Sequence, residues 1–316
     1  MNSAREKEDV RGGVSRRGFV RELGLGGGAI GSGVFLTLAH ADRAAAQQRP
    51  SAPAGSKGES RLHLGATTYN VLMDWDLDKI IQNLSGFGFE AVELRTTHKH
   101  GVEPSLGPEE RKAVRKKFEA SKLRLLSFGT VCEFQAVDPA VRKQNVETAK
   151  QFVILARDTG ATAIRVRPNG LPKEVSTEST VRNIAAGLRE LGDFGAGYGI
   201  EIWMEVHGPE TQNPPISAAI MQATKHQNVG VCWNSNPTDV VNGSVKPSFD
   251  LLGPFIKNVH INELADEKYP WRELFTLLRQ AKYDRYTLCE AQASKEPERF
   301  LRWYKALWTE LCRTCA

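Results

Sequence analysis

The sequence predicts an α/β fold, a single (β/α)8 TIM barrel. Three observations predict it. Apolar, strand-like runs alternate with helix-like segments eight times over about 250 residues, the length and rhythm of such a barrel. The strand-like runs are rich in Val, Ile and Leu. Four successive runs in the second half each close on a side chain able to bind a metal: Ile-Glu-Ile-Trp-Met-Glu205, Val-Gly-Val-Cys-Trp-Asn234, Lys-Asn-Val-His260 and Tyr-Thr-Leu-Cys-Glu290. Parallel α/β barrels place their chemistry at the C-terminal ends of their strands.

The barrel is expected to occupy residues 61–316. Residues 1–46 read as a twin-arginine signal peptide. Ser15-Arg16-Arg17-Gly18-Phe19-Val20-Arg21 follows the export pattern, a Gly-rich mildly apolar stretch comes next, and Ala39-His40-Ala41 and Ala44-Ala45-Ala46 offer cleavage sites. The glycines between 24 and 33 imitate a dinucleotide loop, but no strand precedes them. The apolar stretch is too short and too Gly-rich to span a membrane. Residues 47–60, rich in Pro, Gly and Ser, read as a linker.

The predicted strands are Leu62–Thr68, Ala91–Thr96, Arg124–Thr130, Ala163–Pro168, Ile200–Val206, Val229–Asn234, Asn258–Asn262 and Tyr286–Ala291. The first helix, Asp76–Phe87, carries Leu77, Ile80, Ile81 and Leu84 on one face. Pro108 opens the second, with Glu109 and Glu110 near the positive end of its dipole. Asp138 caps the third, which stops at Gly160. Ser179–Phe194, Ser217–His226, Trp271–Ala281 and Pro297–Leu311 supply four more, and Pro247–Ile256 is a weaker eighth. In the last helix Phe300, Trp303, Tyr304, Leu307, Trp308 and Leu311 form a stripe expected to pack on the barrel.

The composition is that of an ordinary globular protein, with 41% hydrophobic and 25% charged residues. The formal charge is +5, from 42 Lys/Arg and 37 Asp/Glu. The first 46 residues hold seven and five of these, leaving 35 against 32, or +3, for the rest. That near balance gives no electrostatic footprint for a nucleic acid. Five cysteines with no regular framework do not argue for disulfides, and Cys312-Arg-Thr-Cys315 reads as a helix end.

Adjacent strands lie about 4.8 Å apart, so four consecutive strand ends can converge on one ion. Glu205, Asn234, His260 and Glu290 together offer oxygens and one imidazole nitrogen. That set suits Mn, Co, Mg or Zn and lacks the thiolates of a structural zinc site. Arg165 and Arg167 alternate on the fourth strand and share a face, suited to a substrate anion or polyol, or to ion pairs with barrel carboxylates. Glu93 and Arg95 share a face on the second strand, and an internal ion pair between them is the expected arrangement. His98, His100, His207 and Asn236 fall just beyond strand ends and are candidate substrate contacts.

These residues carry a family resemblance over roughly residues 62–311. Ala-Val-Glu-Leu-Arg95, Met-Glu-Val-His-Gly208, Val-Cys-Trp-Asn-Ser-Asn236, Val-His-Ile-Asn-Glu263 and Leu-Cys-Glu-Ala291 resemble the xylose isomerase-like TIM barrels, the sugar phosphate isomerase/epimerase group. The resemblance implies a divalent metal held by the ends of strands five to eight, with Glu205 and Glu290 also moving the substrate proton. It implies Asp where Asn234 stands. With Asn234 the donor set carries two carboxylates, so affinity should fall while a held ion polarises a ketone more strongly.

The implied activity is isomerisation or epimerisation of a keto-sugar through an enediolate. Elimination of a β-substituent is the lyase alternative on the same site, and a carbohydrate-binding barrel with a decayed metal site is the non-catalytic one. Apurinic-site endonucleases share the barrel but gather several zinc ions, and the second half here has only His207, His226 and His260. The expected partners are a small carbohydrate and the twin-arginine export machinery, and an oligomer is compatible with the sequence. The expected location is the periplasm or beyond.

Overall fold

A computed structural model describes residues 61–315. The predicted signal peptide and linker, residues 1–60, lie outside the described residues. Eight parallel strands close in chain order into a barrel, the last pairing with the first. They are β1 (His63–Thr67), β2 (Ala91–Arg95), β3 (Arg124–Glu133), β4 (Ala163–Arg167), β5 (Glu201–Glu205), β6 (Val229–Asn234), β7 (Ile256–Ile261) and β8 (Tyr286–Cys289). All eight predicted strands are present. β3 runs three residues past its predicted end, across a register shift that sets Glu133 opposite Arg167.

The helices between them are α1 (Leu77–Phe87), α2 (Pro108–Glu119), α3 (Pro139–Thr159), α4 (Thr177–Ala196), α5 (Pro214–Thr224), α6 (Lys246–Leu252), α7 (Trp271–Gln280) and α8 (Pro297–Thr314). Local chemistry sets their ends. Asp76 and Asp138 accept from backbone N–H groups of the first turns of α1 and α3, and Gly88 and Gly160 close both helices in the left-handed region. The weak eighth segment is a short α6 followed by a 3-10 turn, because Pro254 interrupts it.

Two apolar regions follow from the period-two alternation of the strands. Ile202 and Met204 of β5 point outward into the large core between sheet and helices. Trp203 points inward and packs with Ala91, Leu126, Ala163, Cys232 and Leu288 across the barrel bore. Ala91 and Ala163 leave room for that indole. This apolar floor lies beneath the ends of the strands, so whatever stands above it is held in a low-dielectric setting. Trp233 also belongs to the core, its indole N–H donating to the Tyr269 hydroxyl at 3.0 Å.

The aromatic stripe of α8 divides. Leu301, Tyr304, Trp308 and Leu311 are buried, whereas Trp303 is 67% exposed and Leu307 is 37% exposed. The stripe is wider than the face that the barrel covers, so its edge residues reach water. All five cysteines are free thiols, and Cys315 caps α8.

Candidate active site

One residue from each of several strands enters the bore just above the apolar floor. Glu93 of β2, Arg165 of β4, Glu205 of β5, Asn234 of β6 and His260 of β7 are all buried. Glu290 follows β8 and is half-buried. Glu205, His260 and Glu290 each offer a ligand atom within 4.8 Å of the others. His260 Nδ1 lies 3.1 Å from Glu290 Oε2 and 3.5 Å from Glu205 Oε1. On the other side of the ring, Nε2 lies 3.6 Å from Glu93 Oε1.

The expected pair of Glu93 with Arg95 does not form. Glu93 accepts from Arg165 Nε at 2.8 Å and from the Ser127 hydroxyl at 2.9 Å. Arg165 also donates from Nη1 to Glu205 Oε2. Arg95 is two residues farther along β2 and so stands about 7 Å higher, at rim level. The reach of Arg165 across β3 depends on Gly129, where a Cβ would lie 2.6 Å from Arg165 Nη2 and 2.7 Å from Glu93 Oε1.

Burial raises the pKa of Glu93, but Arg165 and His260 outweigh it and hold the carboxyl at about 2. Glu205 is likewise held well below the ordinary range, burial being overcome chiefly by Arg165. Burial lowers the pKa of His260, while the neighbouring carboxylates of Glu290 and Glu93 raise it well above the ordinary range. With His260 neutral, as a metal ligand must be, three carboxylates face one guanidinium and leave two negative charges in excess at Glu93, Glu205, Glu290 and Arg165.

The residues fit a divalent cation. The excess charge matches one, and the Asn234 side-chain oxygen is buried without a hydrogen-bond partner. Asn234 stands beside His260 in register. Glu205, His260 and Glu290 would hold the ion, and the Asn234 oxygen is free to join them.

The other expected contacts separate into two groups. Arg165, Arg167 and His207 line a cavity of about 490 Å3 that opens at the strand ends, together with Glu205, Asn234 and Glu290. Arg167 is paired with Glu133 at 2.5 Å, and Asn169 donates to the same carboxylate at 2.6 Å. His207 Nδ1 meets Asn169 Oδ1 at 3.0 Å. Gly208 lets this contact form, since its φ is +92° and a Cβ would lie 2.5 Å from the Asn169 Cα.

His98, His100 and Asn236 are not brought to the cavity. His100 accepts from the Val102 N–H at Nδ1 and therefore donates from Nε2 to the Arg95 carbonyl at 2.8 Å, so both nitrogens brace the loop after β2. His98 meets the Thr68 hydroxyl at 2.9 Å, and burial with the nearby Arg95 lowers its pKa to about 4. Asn236 donates to the Val206 carbonyl at 2.6 Å and ties the loop after β6 to the end of β5. All three lie near strand ends, and their structural partners, backbone groups for His100 and Asn236 and a hydroxyl for His98, are what the sequence does not reveal.

Residues that sequence reasoning did not assign to the site are Glu133, Asn169 and Tyr69, together with the Asp239–Tyr269 pair. Tyr269 donates to Asp239 Oδ2 at 2.9 Å, and the Asn236 N–H donates to the same oxygen at 2.9 Å. Burial pushes the Asp239 carboxyl up to about 7 from its ordinary 3.8. Between those values the folded chain keeps a proton that the unfolded chain releases, so stability falls as pH rises from about 4 to 7. Asp239→Asn should flatten that decline, read as the urea midpoint at pH 5 and pH 8. An unchanged slope would show that Asp239 titrates normally.

A model of the xylose isomerase-like TIM barrel family matches residues 81–307. The chain belongs to this family. Many solved structures share the barrel. One is D-psicose 3-epimerase with D-tagatose from Clostridium cellulolyticum H10, 12% identical, TM-score 0.68, covering 79% of this chain and 99% of that one. L-ribulose 3-epimerase is 16% identical with a TM-score of 0.69, covering 81% and 96%. The IolI protein with a bound zinc atom is 16% identical with a TM-score of 0.67, covering 80% and 99%. At these identities the likeness is one of fold. No curated protein sequence matches the chain. Among the described residues of this family member, no helix is long and apolar enough to cross a membrane.

Proposed function

We propose that this chain is an exported, metal-dependent sugar isomerase or epimerase that works by moving a proton next to a carbonyl. The observation that carries the reading is the convergence of Glu205, His260 and Glu290 within 4.8 Å at the open end of this barrel. The family and its neighbours, which include sugar 3-epimerases, agree with it. The motif at Ser15–Arg21 supports export to the periplasm or beyond.

A divalent ion held by Glu205, His260 and Glu290 supplies a Lewis acid that acidifies the carbon beside a bound carbonyl. The chain's own residues do the rest. Arg165 keeps Glu205 ionised and oriented, which makes it a firm anchor and a weak proton acceptor. Among the described residues, the Glu290 carboxylate meets only His260 within hydrogen-bond reach, and it faces the cavity. Glu290 is therefore the residue that first takes the proton. β5 and β8 lie three strands apart around the barrel, so Glu205 and Glu290 reach the site from different sides. Return of the proton from Glu290 to the neighbouring carbon gives an isomer, whereas an epimer needs a proton delivered at the opposite face by water, since Glu205 is held ionised. Loss of a β-substituent on the same path would make the protein a lyase.

The test is solvent exchange. Full-length protein supplied with Mn2+ or Co2+ should move deuterium from D2O into the carbon beside the carbonyl of a ketose or 3-keto-glycoside. Metal bound with no exchange across a broad panel would defeat the reading. The Arg165 guanidinium, seated between Glu93 and Glu205, gives ground for a second one, a carbohydrate-binding barrel in which the arginine takes a cation's place. Asn234→Asp separates them. It should tighten divalent-metal binding at least about tenfold if Asn234 is a ligand, because a carboxylate replaces a neutral amide. Unchanged affinity would favour the second reading.

A further inference from the structure

The mouth of the cavity is divided by charge. Arg95, Arg165 and Arg167 enter it from β2 and β4, while Glu205, Glu290, Glu263 and Asp266 stand on the side built by β5 to β8, with one exposed cation, Lys268, among them. Two of the three arginines are matched by carboxylates. Arg165 holds Glu93 and Glu205, and Arg167 holds Glu133. Arg95 is different. Its Nη1 donates to the Thr96 carbonyl at 3.0 Å and the Thr97 hydroxyl at 3.1 Å, and its guanidinium lies 5.5 Å from the Tyr69 ring centre. Among the described residues no carboxylate comes within ion-pair distance of it, and its other N–H groups have no acceptor.

Two more observations point the same way. The Arg167 Nε is buried and lacks a hydrogen-bond partner. Arg95 is half-buried, and after burial itself the neighbouring Arg165 and Arg167 are what lower its pKa, so the three guanidiniums crowd one another. A guanidinium with unused N–H groups, partly out of water and pressed by like charges, is stabilised by a planar anion that accepts two parallel bonds.

We propose that the substrate is a sugar acid, whose carboxylate is held by Arg95 and the free edge of Arg167 while its carbonyl end meets Glu205, His260 and Glu290. The inference rests on the sugar-isomerase reading for the reacting end and on Arg95 for the other. One arginine on the β2 and β4 side is left unmatched, so a monoanion satisfies that side of the mouth. A phosphate, with close to two charges, would overshoot and face the carboxylates of Glu205 and Glu290 across the cavity. A neutral ketose would leave the Arg95 N–H groups without an acceptor.

Three probes of one carbon skeleton test it: D-fructose, D-fructuronate and D-fructose 6-phosphate. Each is titrated calorimetrically into the full-length, Mn2+-loaded protein. The uronate should bind at least about tenfold more tightly than either of the others, the effect of one charge-assisted bidentate contact. Arg95→Gln should bring uronate and neutral sugar within about threefold of each other, and Arg95→Lys, which keeps the charge and loses the fork, should fall between. Equal binding of the three probes, or preference for the phosphate, would overturn the proposal. So would an Arg95→Gln variant, folded by circular dichroism, that keeps the full preference for the uronate. Arg95-dependent binding of the uronate without proton exchange would uphold this inference while defeating the isomerase reading.

Discussion

Replacing Glu290 with Gln is expected to slow solvent exchange beside the substrate carbonyl by about 10^2 to 10^4-fold, the usual contribution of a positioned general base. The expectation comes from the unequal settings of two carboxylates in one site. Glu205 is buried against Arg165 and held well below the ordinary range, so it is ionised yet reluctant to accept a proton. Glu290 is half-buried, faces the cavity and meets His260 at 3.1 Å. Gln keeps the shape and removes the basicity. Single-turnover exchange with metal held at saturation isolates the proton step from any weakening of metal binding. A Glu290→Gln rate within about tenfold of the parent would move the role to another residue.

The second large effect is on stability. Arg165→Met should destabilise the protein by about 3–5 kcal/mol, because it strips the buried Glu93 and Glu205 carboxylates of their shared cation. For a domain of this size that corresponds to a fall in melting temperature of roughly 6 °C or more. The same change frees Glu205, so divalent metal should restore part of the loss. Thermal melts with chelator and with Mn2+ report both terms. A loss below about 1 kcal/mol, or a loss insensitive to metal, would mean that Arg165 does not carry the charge balance of the bore.

The barrel itself was legible in the sequence because its signals are local. Each strand is a short apolar run, and caps such as Asp76, Asp138 and Gly160 mark the helix ends. The converging trio was legible too, since a strand's last inward residue is fixed by parity alone. The pairings were not. Nothing in the sequence tells that Glu93 answers to Arg165, 72 positions away, rather than to Arg95, two positions away. That choice depends on the height of each side chain in the bore and on the space over Gly129. Likewise His98, His100 and Asn236 stand near strand ends, but loop backbone geometry, invisible to residue spacing, turns them toward structural partners.

The missing side chain at Gly129 bears on how relatives of this protein are to be compared. A methyl group there would press on the side-chain ends of both Arg165 and Glu93, so the arginine and the glycine on neighbouring strands are expected to occur together. A homologue with a bulkier residue at this place on β3 should lack the arginine on β4. Its fifth-strand glutamate would then stand unclamped, with a different division of labour among its acids. Residue 129, silent in chemistry, is then the place in an alignment where the two kinds of barrel are expected to differ.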